Sequence, residues 1–259
     1  MQTRTRSLLG VGIWLEQAYP SICFANNFLC GFMSNPSEEV YKHAKYWLMY
    51  LLANPITVRF GGPAWNQSLT LKGKPVHPFT AGSKELAYHQ FCDANVGSTG
   101  NYKATSGVVD MLGGSMINNL SQRQHLVSPN SHSSELKAMA GGLHILIPTR
   151  GLLQELHIPQ VEPTPVYADC QSAIYVANDR QSVKLSAWIR RVQAWVNEGK
   201  EMGETNPIKI NEADNVADDE TKPRPFDVWR RHLHYTHNLA GDPPASKLRK
   251  GKAAEMSVQ

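Results

Sequence analysis

Leu86-Ala-Tyr-His-Gln-Phe-Cys-Asp93 is the stretch on which the fold turns. It is short, apolar and aromatic, it ends on an acid, and it reads as a strand over 86–94. Two more strands follow at 106–112 and 114–121. Between them stands Gly113-Gly114, a pair suited to a tight hairpin because glycine takes positive φ without strain. A helix is predicted from Ser133 or Ser134, with Leu136, Met139, Leu143 and Leu146 on one face. Pro148 should kink or end it, since an interior proline costs roughly 3 kcal/mol; Gly151–Leu156 then resumes a turn or two. Pro165-Val-Tyr-Ala-Asp169 is a further strand, and a short helix passes through Ala173, Ile174, Val176 and Ala177. Ser182 caps the next helix, whose stripe is Leu185, Trp188, Ile189, Val192, Trp195 and Val196 and whose end is marked by Gly199. Pro207–Ile210 is a last strand, and Asn215 caps a helix that stops near Lys222-Pro223. Three strands, helix, strand, two helices, strand, helix is an α/β order. It fits a mixed sheet with an antiparallel start better than a doubly wound one.

Upstream, residues 1–55 read as helical. Ser37 is an N-cap followed by Glu38 and Glu39, and Val40, Ala44, Trp47, Leu48, Leu51 and Leu52 form a stripe ended by Asn54-Pro55. Residues 56–85, rich in Gly and Pro, read as a linker with one short strand. Residues 86–225 form the α/β domain, and 226–259 a helix with a basic tail. The 259 residues carry 26 Lys and Arg against 22 Asp and Glu, a net charge of +4 that permits a polyanionic partner without requiring one. Apolar runs fall short of a membrane span. Met1-Gln-Thr-Arg-Thr-Arg leads into an apolar stretch broken by Gly10 and Gly12, so an intracellular protein, cytoplasmic or nuclear and not secreted, is expected. Cys23, Cys30, Cys92 and Cys170 have no metal-type spacing and suit a reducing compartment. Strand alternation should point Cys92 and Cys170 away from any carboxylate cluster.

Asp93 and Asp169 end apolar strands, the usual place for ligand sites in sheets with parallel pairs. Glu135 opens a helix, and Asp218 lies in the first turn of another. Each of the four alone is most simply a solvated charge or an answer to the helix dipole. Together they suit a cage for hard divalent cations, which prefer oxygen ligands. His232, His234 and His237 fit no common zinc spacing. Lys184, Arg190 and Arg191 lie off the apolar stripe of their helix; they suit a row of phosphates or an ordinary solvated face.

The words around the acids carry a resemblance. Cys92-Asp93-Ala94-Asn95-Val-Gly97 with Lys103–Gly107, Ser121–Gln124 with Ser133-Ser134-Glu135, Asp169-Cys-Gln-Ser-Ala-Ile174, and Ala217-Asp218-Asp-Glu-Thr-Lys-Pro223 occur in sequence. In that order they resemble the blocks of the ribonuclease H domain of copia-type LTR retrotransposon polyproteins. Tyr19–Asn26 and Phe32–Ser37 resemble the segment after the polymerase palm of the same polyproteins, so the likeness covers residues 8–225. It implies an RNase H-like fold with a helical remnant of a reverse transcriptase in front. It also implies Asp93, Glu135, Asp169 and Asp218 as the catalytic, metal-binding carboxylates, holding two Mg²⁺ ions, with Mn²⁺ possible. Asp218 is chosen over Asp219 by the match, and adjacent helical residues point about 100° apart, so one alone faces the site. The implied activity is cleavage of the RNA strand of an RNA–DNA hybrid; an implied partner is the remainder of the polyprotein. No Tyr-x-Asp-Asp motif is present, so the chain by itself should not polymerise DNA. Departures from the family pattern fall at Asn95, at Asn119-Leu120 for a usual Trp-Lys, in extra residues around Ser128–Asn130, at Lys137 for a common Glu, and at Lys184-Leu185, where a His is usual. They weaken substrate grip more than metal binding. They motivate an alternative, a catalytically inactive relic that binds nucleic acid or protein; a DNA nuclease or integrase-like enzyme is a third reading.

Overall fold

The computed structural model describes residues 2–16, 19–54, 58, 60, 70–71, 74–75, 86–96, 102–178 and 187–239. Three helices come first: α1 (Gln2–Leu15), α2 (Cys23–Cys30) and α3 (Glu38–Ala53). Ser37 caps α3, accepting the Val40 N–H at 3.3 Å. Leu9, Ile22, Leu29, Val40, Ala44, Trp47 and Leu51 bury one another. Leu52 is exposed instead, because it lies about 100° round the helix from Leu51 and off that narrow stripe. The expected linker falls largely outside the described residues. Within it Thr70–Leu71 (β1) and Lys74–Pro75 (β2) pair antiparallel.

The main sheet is built from β3 (Tyr88–Val96), β4 (Ala104–Leu112), β5 (Ser115–Arg123), β6 (Thr164–Ala168) and β7 (Thr205–Lys209). Their spatial order is β5-β4-β3-β6-β7. Gly113 and Gly114, at φ 60° and 80°, make the β4–β5 hairpin turn as their sequence predicts. β3 is antiparallel to β4 and parallel to β6, and β6 is parallel to β7. This mixed five-stranded sheet with flanking helices is the RNase H-like fold.

Side-chain alternation along β3 separates two cores. Tyr88 and Cys92 join Val108, Val166 and one face of α4 (Ser131–Glu155), with α5 (Gln171–Asn178) and α6 (Ala187–Glu201) packed around them. Phe91 joins Val109, Met111, Tyr167, Val216 and Ala217 on the opposite side. That side is closed by two 3₁₀ turns, Glu212–Asp214 and Val216–Glu220, and by α7 (Phe226–Thr236). The N-terminal helices reach the sheet through α2 and β5, where the Asn27 amide donates to Ser121 Oγ at 3.1 Å.

Several sequence expectations shift. β3 runs past its expected end at 94 to Val96 because β4 pairs with it as far as Val96↔Ala104. α4 starts at Ser131, capped by the Asn130 side chain on Ser133 N–H, so Glu135 sits in its second turn. Pro148 does not end α4. Leu146 and Leu153 are buried on either side of it. Beyond it, Arg150 is anchored by Glu204 at 2.6 Å and by the carbonyls of Gln160 and Glu162. Those contacts outweigh the lost hydrogen bond. Gly199 lies inside α6; the residue past its end with positive φ, 73°, is Gly203. Gly199 is instead a packing glycine, where a Cβ would lie 2.4 Å from Leu143 Cδ2. Asn215 caps a 3₁₀ turn, not an α-helix.

Candidate metal centre

The register of the parallel pair places the first two acids. Gln90 pairs with Val166 and Phe91 with Tyr167. Continued two residues, the same offset sets Asp93 level with Asp169, just past the end of β6. Glu135 approaches from α4, which is held against β3 by Leu136 and Met139. The result is a cluster in which Asp93, Glu135 and Asp169 each bring a carboxylate oxygen within 4.8 Å of the others. Among the described residues it is the one group of acidic, histidine or cysteine side chains with that reach.

The electrostatics of the cluster are those of anions short of countercharge. Burial, the charge of Asp218 and that of Asp169 push the Asp93 carboxyl up to about 8, against the pull of the Thr221 hydroxyl, which donates to it at 2.5 Å. Burial and the charges of Asp93 and Asp169 raise Glu135 well above the usual carboxylate range. Asp169, half-buried, is raised by burial and by Asp218, with Lys209 and Lys222 opposing. Glu135 Oε2 is buried with no hydrogen-bond partner. A buried carboxylate oxygen with no partner, on a residue that meets two other carboxylates, is what a hard cation with oxygen ligands would satisfy. The residues therefore fit a divalent ion.

Asp218, the fourth expected ligand, does not come within 4.8 Å of all three but lies against Asp93, which its charge and side chain both help raise. It is wholly buried, with a cation beside each oxygen: Lys222 Nζ lies 2.8 Å from Oδ1 and Arg224 Nη1 lies 2.8 Å from Oδ2. Its turn is fixed against the sheet. The Asn215 amide donates to the Cys92 carbonyl at 2.9 Å. Gly107, directly opposite Asp93 in the register, leaves room that a Cβ would remove, with Ala217 O at 2.5 Å and Thr221 Cγ2 at 2.7 Å. Asp219 points elsewhere, to His232 Nδ1 at 3.0 Å. The second ring nitrogen of His232 meets the Ala213 carbonyl at 3.0 Å, so this buried histidine ties α7 to the turns.

Of the remaining expectations, Arg190 and Arg191 are exposed on α6 and outside the cluster, and Lys184 lies outside the described residues. Cys92 is buried on the α4 side, which raises its thiol, and the charges of Glu135 and Asp93 help raise it further, so it is not clear of the cluster. Cys170 is likewise not clear of it: it lies beyond β6, where alternation stops, and is near enough to help raise Glu135. Sequence reasoning did not single out Thr221, Lys222 or Arg224 as site residues. The first two lie inside Ala217–Pro223, one of the blocks that carry the resemblance, which was the available signal.

No family model matches the chain. It is 26% identical over 222 residues to the retrovirus-related Pol polyprotein from transposon RE1 of Arabidopsis thaliana. It is 24% identical over the same length to the RE2 counterpart. The chain is similar to transposon Pol polyproteins. Each alignment covers 85% of the chain but spans 14% of the length of the relative. Among solved structures, the chain is similar to LC11-RNase H1 isolated from compost, at TM-score 0.41 and 16% identity, covering 52% of this chain and 92% of that one. RNase H1 from the archaeon Halobacterium salinarum NRC-1 is similar at TM-score 0.37 and 16% identity, covering 50% and 89%. LC11-RNase H1 in complex with an RNA/DNA hybrid gives TM-score 0.39 at 16% identity, covering 52% and 93%. Among the described residues no helix is long and apolar enough to cross a membrane.

Proposed function

We propose that this chain is the RNase H part of a retrotransposon polyprotein, a metal-dependent endonuclease that cleaves the RNA strand of RNA–DNA hybrids. The observation that carries the reading is the convergence of Asp93, Glu135 and Asp169 within 4.8 Å, in a chain similar over most of its length to transposon Pol polyproteins. Held by these three residues and by Asp218, two Mg²⁺ ions, or Mn²⁺ in their place, would supply an activated water and neutralise charge on the leaving oxygen. The protein's own part is positioning. Two carboxylates are fixed by strand register, a third by a packed helix, and Thr221 orients Asp93 through its hydroxyl. Arg190 and Arg191, with Lys184, are assigned to the phosphates of the hybrid. Each such contact removed should lower the salt slope of binding by about 1.

Purified protein offered hybrid, duplex DNA and duplex RNA with Mg²⁺ should cut the RNA of the hybrid alone, and Asp169→Asn should abolish the cut. Equal cleavage by wild type and variant would mean a contaminating nuclease and overturn the assignment. The capture of both Asp218 oxygens by Lys222 and Arg224 favours a second reading, an inactive module that binds nucleic acid or protein. If Mg²⁺ and Mn²⁺ change neither stability nor hybrid affinity, that reading replaces the first.

A further inference from the structure

We propose that Lys222 and Arg224 are a built-in counter-cation gate: they pair with Asp218 beside the three-acid cluster and yield it to an entering divalent ion, moving toward Glu212. The inference rests on the reading of Asp93, Glu135 and Asp169 as a metal site.

Three features of the structure carry it. First, the two cations divide Asp218 between them, one beside each oxygen at 2.8 Å, so an entering cation has to share or displace them. Asp218 is 0% exposed and has no recourse to water; the pair is its neutralisation. Second, the cations themselves are not sealed in. The Lys222 side chain is 27% exposed and that of Arg224 13%, so both have a way out that Asp218 lacks. Third, an alternative anion waits beside them. Glu212 Oε1 lies 4.0 Å from Lys222 Nζ and 3.9 Å from Arg224 Nη1, on a side chain 70% exposed and free to follow. A shift of each cation by little more than an ångström exchanges one carboxylate for the other.

The backbone favours side-chain motion over loop motion. Pro223 and Pro225 flank Arg224, fixing φ on both sides and restricting Arg224 itself to extended conformations. Lys222 hangs from the same segment, whose start is tied down by Thr221 on Asp93. Exchange would leave the main chain in place and turn a three-carboxylate site into a four-carboxylate one. Binding should then occur in two steps: a first ion on Asp93, Glu135 and Asp169, and a weaker second step that includes release of Asp218.

The test is Mn²⁺ titration of the whole chain, with free Mn²⁺ read by electron paramagnetic resonance and the Mn²⁺-induced rise in Tm as a second readout. Lys222→Gln and Arg224→Gln, made singly so that Asp218 keeps one partner, should each tighten the weaker step about tenfold. Glu212→Gln should loosen it. The decisive comparison repeats Lys222→Gln and Arg224→Gln in an Asp218→Asn background, where the gain should vanish because the gated group is gone. Circular dichroism confirms that each variant is folded. An equal gain in the Asp218→Asn background would show a through-space field and overturn the gate, as would folded variants with unchanged Mn²⁺ affinity. Failure of the underlying site reading is separate: Asp169→Asn would then leave the first, tighter step intact.

Discussion

Gly107→Ala should damage the site without removing any of its carboxylates. Gly107 lies in β4 opposite Asp93, and the 3₁₀ turn that carries Asp218 rests on it. A Cβ there would meet Ala217 O at 2.5 Å, Thr221 Cγ2 at 2.7 Å and Glu220 Cβ at 2.9 Å. Two of those three atoms are at or next to the main chain, so relief requires the turn to retreat by roughly 1 Å to reach ordinary contact. Retreat of that size stretches the bonds that hold the turn: Asn215 to the Cys92 carbonyl at 2.9 Å, Thr221 to Asp93 at 2.5 Å and Asn119 to Glu220 at 3.0 Å. Overpacking typically costs about 1–3 kcal/mol, and a buried hydrogen bond lost adds about 1–3 more, so a total of roughly 2–5 kcal/mol is expected. Urea unfolding followed by tryptophan fluorescence measures it, with Mn²⁺ affinity measured on the same samples. Gly151→Ala is the control: it is exposed in α4 with nothing near its Cβ position, and the exchange should be neutral or stabilising by up to about 1 kcal/mol. Equal unfolding midpoints for Gly107→Ala and wild type, with Mn²⁺ affinity unchanged, would refute the role given to this contact.

Two further outcomes follow from the same geometry. Asp93 and Glu220 are both pushed up to about 8 in the folded chain, chiefly by burial, against ordinary values of 3.8 and 4.5. Between those limits the folded state holds more protons than the unfolded one, so stability falls as pH rises. In chelator the urea midpoint should therefore be lower at pH 8 than at pH 5, and Mn²⁺ should offset the loss; a midpoint that rises across this window in chelator would contradict the assignment. Gly199→Ala sets a methyl 2.4 Å from Leu143 Cδ2 and should destabilise the α4–α6 contact, as should the cavity left by Leu143→Ala. The double variant should lose less than the two single losses combined, and strict additivity in urea melts would show that the two residues do not share that space.

The chain states its strands and its hairpin openly, because alternation and a Gly-Gly pair are local signals. It states tertiary choices poorly. The level placement of Asp93 and Asp169 depends on the register of a parallel pair whose members lie far apart in sequence, and nothing near either residue encodes it. Gly199 reads as a stop by composition; only the approach of Leu143 from another helix shows that it is a spacer. Pro148 reads as a break by propensity, yet buried leucines on both sides and the Arg150–Glu204 pair keep α4 whole. Asn130, within what reads as extra residues, is the cap of that helix.

The departures from the family pattern gain a different meaning in three dimensions. Asn119, at the place of a usual Trp, donates to the buried Glu220 at 3.0 Å and lowers a carboxyl that burial drives up. Glu220 adjoins Thr221, which holds Asp93. Lys137, at the place of a common Glu, donates to the Leu126 carbonyl at 3.1 Å and to Ser128 Oγ at 2.8 Å, fastening the stretch that carries the extra residues to the helix that presents Glu135. Gln124 continues that fastening, donating to Ser106 Oγ and to the Ser134 carbonyl, each at 2.9 Å. Substitutions that read as lost grip on a substrate thus support the shell around the carboxylates. A shell rebuilt in this way keeps three acids converged. The state of the fourth is set by Lys222 and Arg224, whose presence in the sequence was plain and whose partner was not.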